Sequence, residues 1–336
     1  MVPVTRGLTG LDLADPGLAG SVQAGLDRVE SLLRESVRSD FSLVGTAARH
    51  LVDAGGKRFR PLLTLVAAHV GDPLGTGVVE SAVVVELTHL GTLYHDDVMD
   101  EASVRRGGVS ANVRWTNTVA ILTGDYLFSR ASDLLADLGP EAVRVQARTF
   151  GRLVTGQIRE TAGPPPDGDP VEHYVTVLEE KTGSLIATAA LLGAMFGGVG
   201  PEGADLLRRY GELIGVAFQL SDDLLDIASD SAESGKTTGT DLREGIRTLP
   251  VLYALRSSST EPDAVRLREL LAGPLTADGP LTEALGLLRR SAAMEEARAV
   301  LVSYADRARS LLDDLPASPA RDALAALADF VVARTG

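Results

Sequence analysis

Two short segments of the sequence share the pattern Asp-Asp-x-x-Asp. Its aspartates are Asp96, Asp97, Asp100, Asp222, Asp223 and Asp226. In an α-helix, residues four apart lie on one face, so the first and last aspartates of each pattern are neighbours. Three ionised carboxylates this close raise one another's pKa unless a cation compensates them. Mg²⁺ takes oxygen ligands and shares oxygens with substrate phosphates, so both segments are predicted to bind magnesium.

The alternative to a metal site is a solvated acidic helix face, because one such pattern arises easily by chance in an aspartate-rich chain. Two copies, each following a strongly apolar stretch, favour metal binding. The stretch before Asp96 is apolar on more than one helical stripe, as is typical of a helix in the middle of a bundle. An EF-hand is disfavoured, because neither pattern has the twelve-residue loop with its central glycine.

A group of cations precedes the first aspartate pattern. Residues 55–61 read Gly-Gly-Lys-Arg-Phe-Arg-Pro and bring Lys57, Arg58 and Arg60 to a predicted helix start. Backbone N–H groups at a helix start favour an anion, and arginine can grip phosphate oxygens with two donors. Taken alone, this group would more often be ordinary surface charge.

Further candidate phosphate-binding residues lie later in the chain. They are His89, Arg105, Arg106, Lys181 and Lys236. Together with the glycine-rich turn they predict sites for two diphosphates. One diphosphate would be held through metal, and the other directly by lysine, arginine and histidine.

Composition and charge limit the fold and the partners. Hydrophobic residues make up 45% of the 336 residues, aromatic residues only 4%, and there is no cysteine, which excludes disulfides and thiolate chemistry. The net charge of −14 argues against a nucleic-acid partner and means that an anionic substrate needs local cations. No secretion signal or membrane-spanning stretch is found, so a cytoplasmic protein is expected.

Helical periodicity covers nearly the whole chain, and no convincing run alternates with period two. The sequence therefore predicts an all-α protein with one domain over residues 1–336, in which residues 1–20 are flexible or loosely packed. Helices are predicted over residues 21–36, 62–70, 78–100, 112–138, 141–161, 171–196, 202–227, 240–256, 263–271, 282–315 and 317–334.

The ordered set of motifs resembles the polyprenyl diphosphate synthase family, the trans-isoprenyl chain elongators, over residues 54–255. The first aspartate region reads His-Asp-Asp-Val-Met-Asp-Glu, followed by Val-Arg-Arg-Gly at residues 104–107. The second reads Phe-Gln-Leu-Ser-Asp-Asp-Leu-Leu-Asp, followed by Gly-Lys-Thr-Thr-Gly-Thr-Asp at residues 235–241. The glycine-rich turn at 55–61, Gly-Asp-Tyr-Leu at 124–127 and Lys-Thr-Gly at 181–183 match further family signatures.

The resemblance implies a single large helical bundle of the isoprenoid synthase type, with a central active-site cavity, and a homodimer. It implies catalysis by the six aspartates and Lys181. The aspartates would bind Mg²⁺, three ions with substrate bound, against an allylic diphosphate primer. Arg105, Lys181 and Lys236 would contact that same diphosphate. Lys57, Arg60, His89 and Arg106 would bind isopentenyl diphosphate. Thr182 and Gln219 would line the reacting centre.

One position departs from the family pattern. A second lysine often follows the Arg-Glu-Gly of the later signature, but Ile246 and Arg247 stand there in this chain. Whether Arg247 replaces that lysine is left open by the sequence.

The residues before the first aspartate region bear on product length. Thr92, Gly91 and Thr88 lie four, five and eight residues before Asp96, and none is aromatic. In the family, a bulky residue here resembles a floor that stops elongation early. An open tunnel and a long all-trans polyprenyl diphosphate, as used for quinone side chains, are therefore predicted, with geranylgeranyl diphosphate as the alternative.

Three other classes of protein remain to be weighed. A class I terpene cyclase normally has a different second metal motif and lacks the paired cationic sites. A non-catalytic subunit of a heteromeric synthase usually has eroded aspartates, whereas all six are present here. A purely structural helical protein would leave the grouped cations unexplained.

Overall fold

The computed structural model of the protein describes residues 13–228 and 238–335, and almost all regular structure in them is helical. The first helices are α1 (Pro16–Ser36), α2 (Ser42–Asp53), α3 (Phe59–Ala68), α4 (Val78–Met99), α5 (Ala111–Arg114), α6 (Asn117–Leu138), α7 (Pro140–Ala162), α8 (Pro170–Leu178), α9 (Ser184–Phe196) and α10 (Pro201–Ala228). The later helices are α11 (Thr240–Glu244), α12 (Leu249–Arg256), α13 (Pro262–Leu270), α14 (Asp278–Arg289), α15 (Ala292–Leu311) and α16 (Pro319–Ala333). The all-α prediction is confirmed.

Short irregular elements complete this description. A π-helical segment, Glu179–Gly183, lies between α8 and α9, and a 3-10 turn, Leu312–Asp314, follows α15. Two-residue strands β1 (Val104–Arg105) and β2 (Gly108–Val109) form an antiparallel hairpin.

Several helices begin where a capping side chain and a proline coincide. The Asp15 side chain accepts a hydrogen bond from the Leu18 N–H at 2.7 Å, and Pro16 opens α1. Asp169 caps α8 in the same way, accepting from the Val171 N–H at 2.8 Å ahead of Pro170. An aspartate cap satisfies a backbone donor that the helix leaves unpaired, and proline loses nothing at the first helical position.

The chain groups into two compact units. Unit 1 comprises the described residues of Met1–Gly151, Leu185–Gly211 and Leu312–Ala326. Unit 2 comprises those of Arg152–Ser184, Glu212–Leu311 and Leu327–Gly336. The single domain expected from sequence stays a prediction.

Helix α4 lies in the core of unit 1. Its neighbours there include α1, α3 and α6. Val84, Leu87 and Leu90 are fully buried, as the apolar stretch on more than one stripe of this helix predicted. Helix α9 approaches α3 so closely that a Cβ atom on Gly193 would lie 2.1 Å from the Thr64 carbonyl oxygen.

Unit 2 has its own apolar core. Leu220, Leu224 and Ile227 on α10 pack in one cluster with residues of α12, α14 and α15, among them Leu249 and Leu288. These α10 residues alternate with the second aspartate pattern along the same helix. The core therefore fixes the face on which the aspartates lie.

The structure corrects several predicted boundaries. Helix α1 begins at Pro16, and Leu13 and Leu18 are buried, so the segment predicted to be loosely packed is ordered from residue 13 onward; residues 1–12 lie outside the described residues. Helix α2 was not predicted at all. Its amphipathic pattern is short and contains Gly45, which weakens the helical signal.

Long predicted helices are broken at specific points. The predicted helix 112–138 is interrupted at Trp115–Thr116, and Thr116 caps α6 through the Val119 N–H at 3.2 Å. The predicted helix 240–256 ends early at Gly245, whose φ of 77° is left-handed. The predicted helix 282–315 is two helices, because α14 ends before Arg290 and α15 begins at Ala292. The β1–β2 hairpin is too short to produce an alternating pattern.

Within residues 13–228 and 238–335, no helix combines the length and the apolar character that crossing a membrane requires.

The close approach of α9 to α3 generates a stability prediction. We expect Gly193→Ala to lower the free energy of unfolding by about 1–3 kcal/mol, because the added methyl group overlaps the Thr64 backbone. Gly20→Ala on α1 is the matched control, since nothing lies within 4 Å of its added Cβ. It should be neutral or stabilising by up to about 1 kcal/mol. Urea unfolding followed by circular dichroism measures both; equal stability of the two variants would contradict this packing.

Candidate active site

A buried ion pair in unit 1 organises the glycine-rich turn. Glu86 on α4 has a side chain only 2% exposed and accepts a hydrogen bond from Nη1 of Arg58 at 2.8 Å. Arg58 also forms an ion pair with Glu30 and donates to the Val52 carbonyl at 2.9 Å. It holds a left-handed φ of 45° just before α3. Arg58 was grouped with the candidate phosphate-binding cations, but its side chain faces inward and serves the fold.

Arg106 packs against the same turn from the β1–β2 hairpin. Its Nη1 donates to the carbonyls of Leu51, at 3.0 Å, and of Gly55, and its Nη2 lies 3.9 Å from Glu86. A Cβ atom on Gly56 would lie 2.9 Å from the Arg106 guanidinium carbon. Gly56 also has a φ of 140°, so glycine is required there for both conformation and space.

In the β1–β2 hairpin, the consecutive residues Arg105 and Arg106 contact different partners. Arg106 and Gly107 have φ values of 52° and 76°, the pair of positive values that a tight two-residue hairpin loop needs. While Arg106 reaches the glycine-rich turn, Nε of Arg105 donates to Oδ1 of Asp97 at 2.6 Å. The sequence pattern Arg-Arg-Gly-Gly therefore specifies a turn as well as two cations.

Arg60 and His89 complete a cationic cluster in unit 1 with Arg106. Burial lowers the pKa of Arg60 to about 10, and the neighbouring Arg106 adds to this while Glu86 opposes it. In the described part of the chain, no group accepts a hydrogen bond from Nε of Arg60. Burial, and then the positive charges of Arg60 and Arg106, hold the pKa of His89 well below its ordinary value. His89 is therefore a neutral imidazole at pH 7, beside positive charge that an anion would offset.

The first aspartate pattern lies where α4 ends. Asp97 is fully buried, and besides Arg105 it accepts the Ala111 N–H at 3.4 Å. Asp96 is half-buried and Asp100 is exposed, with a side chain 58% accessible. Nη2 of Arg105 lies 4.0 Å from Oδ2 of Asp100. These carboxylate oxygens are hard ligands suited to Mg²⁺, and two of the three carboxylates reach the surface.

The second aspartate pattern concentrates negative charge in unit 2. Asp223 accepts hydrogen bonds from the Tyr174 hydroxyl and, at 3.0 Å, from Nε2 of Gln219. Burial raises the pKa of Asp223 to about 7; the two hydrogen bonds oppose the shift, and the charges of Asp222 and Asp226 add to it. The raised pKa shows that negative charge is costly at Asp223 beside Asp222 and Asp226. A bound divalent cation would stabilise the ionised carboxylates, so the arrangement fits a metal site.

Asp226 lies against the start of α11. Its Oδ1 accepts the Thr240 N–H at 3.2 Å and its Oδ2 the Asp241 N–H at 3.1 Å. The pKa of Asp241 is raised to about 8, by burial first and then by the charges of Asp226 and Asp223. Asp241 is thus a fourth carboxyl group of this cluster, which the sequence analysis quoted only as part of a motif. In the described residues, no three carboxylate or imidazole groups converge closely enough to form a ready-made metal cage.

Arg334 contacts the second pattern from the end of the chain. It forms an ion pair with Asp222 and lies over the Phe218 ring, 4.6 Å from its centroid. The two paired residues are 112 positions apart in sequence. No motif marks Arg334, and sequence reasoning missed it.

Lys181 and Thr182 lie in the π-helical segment of unit 2. Nζ of Lys181 is 2.5 Å from Oε2 of Glu160. Thr182 Oγ1 lies 3.5 Å from Oε1 of Gln219, which in turn contacts Asp223. A π-segment widens a helix by one residue and is frequent at functional sites. The sequence predicted one helix over residues 171–196, because a single inserted residue barely changes the helical pattern.

The remaining predicted residues fall into three groups. Lys57 is exposed on the glycine-rich turn. Ile246 and Arg247 are both exposed just after Gly245. Lys236 and the residues around it, 229–237, lie outside the described residues.

The candidate chain-length residues on α4 are placed as follows. Thr88 is buried, and its hydroxyl accepts a hydrogen bond from Nε2 of Gln146 at 2.7 Å. The Thr92 hydroxyl donates to the His89 carbonyl at 2.7 Å. Beside Gly91, a Cβ atom would lie 2.7 Å from the Phe128 ring on α6, and the open tunnel expected from the sequence stays a prediction. The sequence could not reveal this, since Phe128 comes from another helix.

Comparison with known proteins identifies the family. A family model described as Polyprenyl synthetase matches residues 42–287. Nonaprenyl diphosphate synthase of Mycobacterium tuberculosis is 52% identical over 330 residues, which covers 98% of this chain and 98% of the relative. The matched region contains both aspartate patterns.

Solved structures give the same result for the fold. Geranylgeranyl pyrophosphate synthase of Corynebacterium glutamicum, complexed with calcium and isoprenyl diphosphate, is similar with a TM-score of 0.86 and 47% identity, covering 97% of this chain and 100% of that one. Decaprenyl diphosphate synthase of Rhodobacter capsulatus has a TM-score of 0.85 and 34% identity, over 95% of this chain and 99% of that one. The fold is that of the isoprenyl diphosphate synthases. This chain therefore belongs to the polyprenyl synthetase family and is a trans-prenyltransferase.

Proposed function

We propose that this prenyltransferase condenses isopentenyl diphosphate with an allylic diphosphate in a Mg²⁺-dependent reaction and releases a long all-trans polyprenyl diphosphate. One observation carries the proposal. Within unit 1, a cationic cluster of Arg60, His89 and Arg106 and an aspartate pattern ending at Asp100 are both positioned by α4 and by the hairpin that follows it. This arrangement supports two ways of binding a diphosphate in one protein.

Isopentenyl diphosphate would bind the cationic cluster. Arg60 and Arg106 supply fixed guanidinium donors, and Lys57 adds an exposed ammonium group. His89 is neutral, so it can donate one hydrogen bond without a further charge. Arginine and backbone donors suit phosphate oxygens, and no metal is needed for this anion.

The allylic diphosphate would be held through Mg²⁺ ligated by Asp96, Asp97, Asp100, Asp222, Asp223 and Asp226, with Arg105, Lys181 and Lys236 as direct contacts. Three ions per site are proposed. The solved Corynebacterium relative, complexed with calcium and isoprenyl diphosphate, supports the use of a divalent cation. When bound, Mg²⁺ would stabilise the negative charge that develops on the departing diphosphate.

The reaction itself forms one carbon–carbon bond and breaks one carbon–oxygen bond. The allylic C–O bond breaks with its electron pair going to diphosphate, and the double bond of isopentenyl diphosphate attacks the allylic cation. Loss of a proton, with the released diphosphate as the base, restores an alkene. Thr182 and Gln219 would lie near the cation as uncharged dipoles, and apolar walls would keep out water that would quench it.

Product length is the finer part of the proposal. The 52% identity to a nonaprenyl diphosphate synthase and the likeness to a decaprenyl diphosphate synthase support a long chain. The 47% identity to a geranylgeranyl pyrophosphate synthase and the Phe128 ring beside Gly91 favour geranylgeranyl diphosphate as the second candidate.

We also propose a cytoplasmic homodimer. Helix α6 supports it, because its apolar side chains Ile121 and Leu122 are 42% and 59% exposed. Val113, just before α6, is 57% exposed as well. Apolar side chains grouped on one exposed helix are typical of a protein interface.

A product assay tests the proposed function. We expect purified protein, given isopentenyl diphosphate, Mg²⁺ and allylic primers of different lengths, to release diphosphates longer than the primer by whole five-carbon units. A cyclase would instead release a cyclic hydrocarbon or alcohol, and a non-catalytic subunit would give no product. Mass spectrometry separates these results. Either of the last two would contradict the proposal.

Removal of one proposed metal ligand tests the aspartate assignment. Asp96→Ala should lower turnover by at least about 100-fold, because charge on the departing diphosphate loses its stabilisation. Circular dichroism should show an unchanged fold, since Asp96 is only half-buried. Asp137→Ala, which removes an exposed carboxylate from α6 in the same unit, is the control and should keep full activity. Normal turnover in Asp96→Ala would contradict the assignment of Asp96 as a metal ligand.

The electrostatics of His89 give a test of the isopentenyl diphosphate site. The positive charges of Arg60 and Arg106 contribute to the lowered pKa of His89, so a bound diphosphate should offset them and raise that pKa toward its ordinary value. An NMR titration of the imidazole with and without inorganic diphosphate, in metal-free buffer, measures the shift. In Arg60→Gln, the His89 pKa should start higher and respond less to diphosphate. A His89 pKa that diphosphate leaves unchanged would contradict the site.

A further inference from the structure

The β1–β2 hairpin is attached to the end of α2 at two places. At the first, Nη1 of Arg106 donates to the carbonyls of Leu51, at 3.0 Å, and of Gly55 just beyond the helix. At the second, Nε2 of His50, the residue before Leu51, lies 2.8 Å from the Val109 carbonyl oxygen of β2. The end of α2 therefore contacts the hairpin both at its turn and along its second strand.

Two hydrogen-bond partners fix the tautomer of His50. The Val109 carbonyl can only accept, so Nε2 of the imidazole carries the proton. Nη1 of Arg114 lies 3.1 Å from Nδ1 of His50, and a guanidinium group can only donate, so Nδ1 is the acceptor. One imidazole thus connects α2 to β2 and to the end of α5, and both of its ring nitrogens are used.

Trp115 packs against this imidazole. Its ring meets the His50 ring edge-on, with centroids 5.2 Å apart and planes at 90°. The guanidinium carbon of Arg114 lies 4.8 Å from the centroid of the Trp115 ring, which is a cation–π distance. The side chains of His50, Arg114 and Trp115, together with the Val109 carbonyl, are named the hairpin clasp. The three side chains contact one another, so the His50 ring is held in one orientation.

The valines of the hairpin give it little apolar packing. Each strand has two residues, and the paired side chains Val104 and Val109 are 60% and 50% exposed. A two-stranded hairpin by itself is only marginally stable in water. Arg105 and Arg106 anchor the hairpin through Asp97 and the carbonyls at the end of α2, but the proposed function assigns both arginines to diphosphates. The clasp attaches the hairpin to α2 without using either of them.

We propose that His50 is a positioning residue for the binding of isopentenyl diphosphate. By holding the Val109 carbonyl, it fixes the hairpin so that the guanidinium of Arg106 stays at the glycine-rich turn, in the cationic cluster with Arg60 and His89. The inference rests on the proposed function, in which Arg106 binds isopentenyl diphosphate. His50 acts through Arg106 and is assigned no contact with the anion.

Two substitutions separate the hydrogen bonds of His50 from its ring. His50→Phe keeps a ring against Trp115 but removes both hydrogen bonds, and it should raise the Kd for isopentenyl diphosphate about 3–10-fold. His50→Gln supplies an amide donor for the Val109 carbonyl and an acceptor for Arg114, so its Kd should stay within about twofold of the wild type. Isothermal titration calorimetry in EDTA measures both, after thermal melts confirm folding. A wild-type Kd in His50→Phe, or equal weakening in the two variants, would overturn the proposal.

His69→Phe is the matched control. His69 is also half-buried in unit 1, and its two ring nitrogens lie 2.7 Å from the Leu65 carbonyl and 2.8 Å from the Ser21 hydroxyl. This variant should keep the wild-type Kd even where its melting temperature falls. Steady-state kinetics add a second readout, because His50→Phe should raise KM for isopentenyl diphosphate and leave kcat within about twofold. A fall in kcat at unchanged KM would indicate a merely structural role and contradict the proposal.

A double-mutant cycle with Arg106→Gln tests whether His50 acts through Arg106. In the Arg106→Gln background, His50→Phe should weaken isopentenyl diphosphate binding by less than about twofold, because the guanidinium that it positions is absent. An equal loss of affinity in both backgrounds would overturn the proposal. Failure of the wild-type protein to bind isopentenyl diphosphate, or to form any prenyl product, would instead count against the proposed function, so the two failures are distinguishable.

Discussion

The ion pair between Arg58 and Glu86 is the constraint on which the cationic side of this protein depends. Both side chains are 2% exposed, so neither charge can lose its partner without a large desolvation cost. The pair ties the glycine-rich turn to the middle of α4 and sets the left-handed backbone at Arg58 from which α3 starts. Arg106 then reaches the carbonyls of this turn, and Arg60 follows two residues later. Glu86 compensates part of the positive charge of this cluster, and burial, followed by the positive charges of Arg60 and Arg106, lowers the pKa of His89.

In unit 2 the excess charge is negative instead of positive. There the carboxyl groups of Asp223 and Asp241 have pKa values raised to about 7 and about 8, with burial as the main cause and neighbouring carboxylates as the next. Arg334 offsets part of this charge at Asp222. A protein with a net charge of −14 thus keeps a compact cluster of cations in unit 1 and surplus carboxylates in unit 2. These two groups are the basis of the proposed binding of two diphosphates.

The sequence could predict features that depend on residues close together in the chain. The aspartate spacing, the apolar stretch of α4 and the glycines before Lys57 each report on one turn or one helix, and the family motifs predicted the family, which the family model confirms. The sequence grouped Arg58 with its cationic neighbours and did not predict its structural role, because its partners, Glu30 and Glu86, each lie 28 residues away. The π-segment at Lys181 was invisible for a related reason, since one inserted residue barely disturbs a helical pattern.

Contacts between distant helices could not be predicted at all. The ring of Phe128, 37 residues after Gly91, lies beside it, and the pattern of α4 alone does not show this neighbour. Arg334 reaches Asp222 across 112 residues. In each case the decisive property is the volume or charge that another element brings, and no local spacing encodes it.

The central claim is that one diphosphate binds through side-chain cations and the other through metal. Isothermal titration calorimetry with isopentenyl diphosphate and with an unreactive allylic diphosphate analogue, each measured in Mg²⁺ and in EDTA, tests it directly. The account predicts that EDTA leaves the affinity for isopentenyl diphosphate nearly unchanged and abolishes binding of the allylic analogue. Equal dependence of the two ligands on Mg²⁺ would contradict it.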